Sequence, residues 1–138
     1  MKFYIGAGLN NYELVNNISE RLKAMGWKHT YNWAENGSVE NESIEDLKVI
    51  SEIESNAINE SDIIIILLPA GRGTHVELGM AIVLNKIIYL YSENDKIFNI
   101  ENTAGFYYHL SVSRFYGEID DFINNIKNNT KILVKNKD

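Results

Sequence analysis

Residues 62–86 read "DIIIILLPAGRGTHVELGMAIVLNK". A strand with one face in water alternates apolar and polar residues, but "DIIIILL" (62–68) does not alternate. It therefore predicts a strand buried on both faces, the mark of a parallel sheet covered by helices. Pro69, Gly71 and Gly73 punctuate the run, and a helix is expected from His75 to Leu84. Thr74 and Glu77 have the T-x-x-E spacing of a capping box, with Thr74 as the cap and Glu77 reaching back to its amide. A second reading competes for the same carboxylate. A first-turn glutamate is favoured as an anion by the exposed helix amides, and an ionised carboxylate in a sugar-sized pocket can attack an anomeric carbon.

Working outward, "KFYI" (2–5) ended by Gly6, Ala7 and Gly8 reads as a buried strand and a tight loop. Leu14, Ile18, Leu22 and Met25 recur at helical spacing over residues 11–25, and Gly26 is a natural stop. "WKHTYNW" (27–33) has the aromatic and β-branched composition of a second strand. A polar loop over 34–43 leads into an amphipathic helix from Ile44 to Glu60, with Leu47, Ile50, Ile53, Ala57 and Ile58 on its apolar stripe. "KIIYLYS" (86–92) and "SVSRFYG" (111–117) read as the fourth and fifth strands, and Glu118 to Ile126 as a closing helix before a Lys- and Asn-rich end expected to fray. This alternation predicts an α/β, three-layer flavodoxin-like fold with a five-stranded parallel sheet in the order 2-1-3-4-5, as one domain over residues 1–138. The order reverses between strands one and three. The loops leaving them, "GAGLNN" (6–11) and "PAGRGTH" (69–75), are the chain's most glycine-rich turns, so a ligand crevice is expected there.

Composition narrows the chemistry. The 138 residues are 45% hydrophobic and 23% charged, as in ordinary globular proteins. There is no cysteine, which excludes thiolate catalysis, disulfides and cysteine metal sites. A formal charge of −6 argues against a nucleic-acid polymer as partner. "MKFYIGAG" is too quickly interrupted by glycine for a signal peptide, and no apolar run nears the roughly 20 residues of a membrane span. A cytoplasmic protein is expected. His29, His75 and His109 lack metal-ligand spacing, so neither metal nor cofactor is expected. The Walker ending G-K-[ST] and the G-x-S-x-G elbow are missing as well.

Several side chains fall at the expected crevice. Glu54 lies inside the apolar stripe of its helix, where an unpaired carboxylate is costly. It either reaches water or a lysine, or it faces Glu77 as an acid or sugar-hydroxyl acceptor. Arg72 is placed to meet a phosphate or to face solvent. His75 is either a proton carrier or, as its direction two residues from Glu77 favours, a bystander or interface contact. Gly6, Ala7, Gly8, Gly71, Gly73 and Thr74 allow close approach of a ligand, and Trp33 and His109 complete the expected substrate contacts. Phe106, Tyr107, Tyr108 and His109 form an aromatic cluster suited to stacking on a base, to a subunit interface or to a lid over the core.

"SDIIIILLPAGRGTHVELGMAIVLNKIIYLYS" (61–92) resembles the central motif of the nucleoside 2'-deoxyribosyltransferase superfamily, which includes the deoxynucleoside 5'-monophosphate N-glycosidases. The resemblance implies that Glu77 of "E-L-G" is the nucleophile attacking C1' of a deoxyribose, that Tyr4 orients it, and that Glu54 stands where the family has an aspartate. It implies a small-molecule nucleoside or nucleotide as partner and a homo-oligomer. Four departures stand out. Gly71 occupies the position, six before Glu77, where transferases carry a loop acid. The serine that monophosphate glycosidases use for phosphate is also missing. Glu54 is longer than aspartate by a methylene, roughly 1.5 Å. The asparagine that transferases receive from a neighbouring subunit has no counterpart in "YYHLSVSRFYGEID" (107–120), where His109 or Ser111 are candidates for its role. Two further readings stay open: a glycohydrolase or cyclase acting on NAD, resembling bacterial TIR domains, and a non-catalytic nucleotide-binding module.

Overall fold

The computed structural model describes residues 1–35 and 43–137; of the loop expected over 34–43, residues 36–42 lie outside that description. Five parallel strands, β1 (Lys2–Gly6), β2 (Lys28–His29), β3 (Ile63–Leu67), β4 (Ile87–Ser92) and β5 (Val112–Tyr116), form one sheet in the order β2-β1-β3-β4-β5. Helices α1 (Tyr12–Lys23), α2 (Ile44–Glu60), α3 (Arg72–Val83) and α4 (Ile119–Lys137) cover it. The expected fold class and strand order are both present.

The two-residue period of a strand sorts the core into two layers. Phe3, Ile5, Ile63, Ile65, Leu67, Ile87, Tyr89 and Tyr91 pack with Val15, Ile18 and Leu22 of α1 and Phe122, Ile123 and Ile126 of α4. Tyr4, Ile64, Ile66, Ile88 and Leu90 point the other way, to Ala57 and Ile58 of α2 and Leu78 and Ala81 of α3. All five residues of β3 are buried, which accounts for a run with no polar position. Each such isoleucine contributes about 1.5–3 kcal/mol by leaving water. Tyr4 thus belongs to the α2/α3 layer by parity alone.

Local chemistry sets the boundaries. Gly26, at φ +89°, turns the chain out of α1 in a conformation that disfavours side chains. Ser43 caps α2, its Oγ accepting from the Asp46 amide at 3.1 Å, so α2 begins and ends where its periodicity predicts. His29 stacks on Phe3 with centroids 4.5 Å apart and contacts Ser19 Oγ through Nδ1 at 2.8 Å. Burial, aided by Lys23, lowers its pKa to about 4, as suits a neutral packing residue.

Three expectations need correction. The second strand is two residues long, not seven. Lys28 and Thr30 donate backbone bonds to the Met1 and Phe3 carbonyls, but the next acceptor in that row, Ile5 O, is taken by the Trp33 indole N–H at 2.7 Å. Asn32 instead accepts from the Ala34 amide and donates to Asn16, closing a side-chain turn. The apolar stripe of α2 is buried only near its end: Ala57 and Ile58 are covered, whereas Leu47 and Ile53 are exposed. Finally, α4 continues through the Lys- and Asn-rich segment to Lys137. Thr130 is buried there and bonds the Tyr89 hydroxyl at 2.6 Å, and Leu133 packs on the core. A chain ending at Asn128 loses both contacts, and its urea unfolding should show about 2 kcal/mol less stability; a frayed end would leave the midpoint unchanged.

Candidate active site

The site is built where the strand order reverses, at the carboxyl ends of β1 and β3. Parity sends Tyr4 towards α2 and α3, and Glu77, in the second turn of α3, comes down over β1 to meet it. The Tyr4 hydroxyl donates to Glu77 Oε2. Both side chains are buried, Tyr4 fully and Glu77 to 7% exposure. Gly6 makes the approach possible: a Cβ there would stand 2.9 Å from Ile66 Cδ1, 3.0 Å from Glu77 Oε1 and 3.3 Å from Thr74 Cγ2. Any side chain at position 6 must therefore displace the carboxylate or the core beside it.

The capping-box reading of Glu77 fails. The helix begins at Arg72, three residues ahead of the expected start, with Gly71 as its N-cap and no side-chain cap bond. Thr74 is thus inside the first turn and buried, and Glu77 lies beyond that turn, where the helix amides help an anion little. The glycines leave the backbone able to wind earlier than a threonine cap would suggest.

Glu77, Tyr4 and Glu54 line one cleft of 260 Å³, together with Ala7, Leu9, Tyr31, Trp33, Ile50, Gly71, Gly73 and Thr74. That volume is near the lower end of ligand sites, about 300–1,000 Å³. Glu54 is half-buried, one turn before the covered Ala57 and Ile58, which resolves its presence in an apolar stripe. Of the expected contacts, Gly6 supports the site from beneath, while Gly8, Arg72 and His109 are not among the lining residues. Arg72 is exposed, and His109, also exposed, pairs with Ser111 Oγ at 2.9 Å. His75 also turns away, to Tyr107. Within the aromatic cluster Tyr107 is buried, whereas Phe106 and Tyr108 are exposed. Sequence reasoning missed Leu9, Tyr31 and the cavity role of Ile50. Tyr31 had a signal: it alternates with Trp33 in an aromatic run at the end of the strand beside β1.

The electrostatics are those of two carboxylates in one confined space. Burial pushes Glu77 up to about 8; the Tyr4 hydrogen bond pulls it down, and Glu54 pushes it up by charge and hydrogen bonding. Burial likewise raises Glu54, against hydrogen bonding to Glu77 and Tyr4. Burial and then both carboxylates push the Tyr4 phenol upward, so it remains a donor. The pair retains a proton that belongs to both residues rather than to either. Among the described residues no group of three or more His, Cys, Asp or Glu is placed to hold a metal.

The model of the family described as nucleoside 2-deoxyribosyltransferase matches residues 3–128. The chain belongs to this family. Two solved structures share the family fold at low identity. The CMP N-glycosidase BcmB of Clostridium botulinum superposes with a TM-score of 0.63 at 16% identity, covering 92% of this chain and 99% of its own. The 2-deoxyribosyltransferase of Bacillus psychrosaccharolyticus superposes with a TM-score of 0.64 at 24% identity, covering 90% of this chain and 91% of its own. No curated protein matches the sequence. Among the described residues no helix is long and apolar enough to cross a membrane.

The raised carboxyl has a measurable consequence for stability. Between the ordinary value of 4.5 and the folded value of about 8, the native state holds a proton that the unfolded chain has released. Stability is therefore lost as pH rises through this window. Glu77→Gln cannot lose that proton and still accepts from Tyr4. Its gain in Tm over the parent should grow from about pH 5 to about pH 8 and then level off; a gain independent of pH would contradict the shift.

Proposed function

We propose that the protein cleaves the N-glycosidic bond of a 2'-deoxynucleoside or its 5'-monophosphate through a covalent glycosyl-glutamate at Glu77. The observation that carries this reading is the buried Tyr4–Glu77 hydrogen bond in a cleft shared with Glu54. Tyr4 engages Oε2, and Oε1 lies over Gly6, where the missing side chain leaves room. The pair shares one proton, and the reactive form is the one with that proton on Glu54, which leaves Glu77, still hydrogen-bonded by Tyr4, as the ionised nucleophile and Glu54 as the acid. A Glu77 oxygen bonds to C1', the C1'–N bond breaks, and its electron pair leaves with the base, which takes the Glu54 proton. Water or a second base then attacks C1', Glu54 accepts the proton released, and the ester to Glu77 breaks. The flanking Tyr31 and Trp33 suit the face of a base. With glycine at position 71, Glu54 is the acid available to the leaving base.

A panel of deoxynucleosides, their monophosphates and NAD, assayed by chromatography, tests the reading. A free base should appear from at least one deoxynucleoside or monophosphate, and Glu77→Gln should abolish it. Nicotinamide alone would favour the NAD glycohydrolase, and binding without any release would favour the non-catalytic module. Tyr4→Phe removes a hydrogen bond to a charged group, worth about 1.5–3 kcal/mol, so kcat/KM should fall about 10- to 100-fold. Gly6→Ala should lower activity at least as far, with the circular dichroism spectrum preserved, because its methyl group stands at the Glu77 oxygen.

A further inference from the structure

Gly71 and Gly73 both border the cleft, and a Cβ at either would meet nothing within 4 Å. This wall of the site has no side chain of its own at those positions; Gly71 is the N-cap of α3 and Gly73 lies in its first turn, where glycine holds the helical backbone less firmly than other residues. His75 adds a side-chain tie to the helix's own backbone bond at Gly71. Gly71 O accepts from the His75 amide at 3.3 Å and lies 2.7 Å from His75 Nδ1. A carbonyl only accepts, so Nδ1 carries a proton, and in the neutral ring Nε2 is then an acceptor. The Tyr107 hydroxyl, 2.6 Å from Nε2, is the matching donor. Tyr107 is 4% exposed, and its own carbonyl accepts from Arg114 Nη1 of β5 at 2.9 Å. Tyr107, anchored through its carbonyl to β5 at the sheet's edge, thus reaches through its hydroxyl and His75 to Gly71.

We propose that His75, braced by Tyr107, is a positioning residue that fixes the Gly71–Gly73 wall against the bound nucleoside and so governs substrate binding more than bond cleavage. The proposal rests on the nucleoside reading for its kinetic half and on the hydrogen bonds alone for its structural half.

Three variants separate it from a general packing role. His75→Phe fills the ring's space without either bond, Tyr107→Phe removes only the brace, and His75→Asn keeps a donor near the Nδ1 position. Amide hydrogen exchange over residues 69–77 is read without substrate. KM and kcat are read with whichever deoxynucleoside or monophosphate the parent turns over. His75→Phe should speed exchange in that segment and raise KM about five- to tenfold, the scale of one net hydrogen bond, with kcat affected less. Tyr107→Phe should do the same more mildly, and His75→Asn should recover most of the loss. Exchange unchanged in both phenylalanine variants, or a fall in kcat with KM unmoved, would overturn the proposal. If the parent turns over nothing, the proposed function fails on its own, and the exchange result still decides the positioning role.

Discussion

A carboxylate taken out of water beside a second carboxylate is the constraint on which this molecule turns. Neither charge is tolerable alone in such a place, so the surroundings must supply a donor and the pair must keep a proton. The donor is Tyr4, which never gives up its own proton because the same burial opposes it. Everything needed to bring Tyr4 and Glu77 together follows from sheet geometry: the parity of β1, the glycine beneath the carboxylate, and the reversal of strand order that opens the crevice. Burial of the isoleucine-rich β3 on both faces offsets the stability lost to this arrangement.

How much of this is legible in the sequence depends on whether the deciding physics is local. The parallel sheet is legible because "DIIIILL" lacks alternation, and α2 is legible to the residue because Ser43 supplies its cap. The convergence of the two glycine loops follows from strand order. What fails is what depends on partners distant in sequence. Trp33 ends β2 by satisfying a carbonyl of β1 with its indole, a competition no local pattern announces. The polar end of α4 stays helical because Thr130 meets Tyr89 across the layer. The T-x-x-E pattern misleads for the opposite reason: it is a sound local signal, overridden when Gly71 starts the helix earlier and Glu77 finds a better donor in β1.

Family membership and residue chemistry contribute different things. The match over residues 3–128 fixes the lineage, while structural neighbours at 16% and 24% identity speak to fold alone. The loop that walls the site carries glycine at 71, an arginine turned to solvent at 72 and a histidine at 75 tied back to the loop's own carbonyl. In place of acidic or phosphate-binding side chains, this wall presents backbone held from behind. On the proposed reading, proton supply then falls to Glu54.

A covalent glycosyl-glutamate is seen most directly in the mass of Glu77 during turnover. Protein mixed with a cleavable deoxynucleoside, or with a 2'-fluoro analogue that slows release of the sugar, is quenched in acid and digested, and the peptide carrying Glu77 is weighed. A sugar-sized increase on Glu77 that vanishes in Glu77→Gln is expected. Base released at full rate with Glu77 never modified would contradict the covalent intermediate.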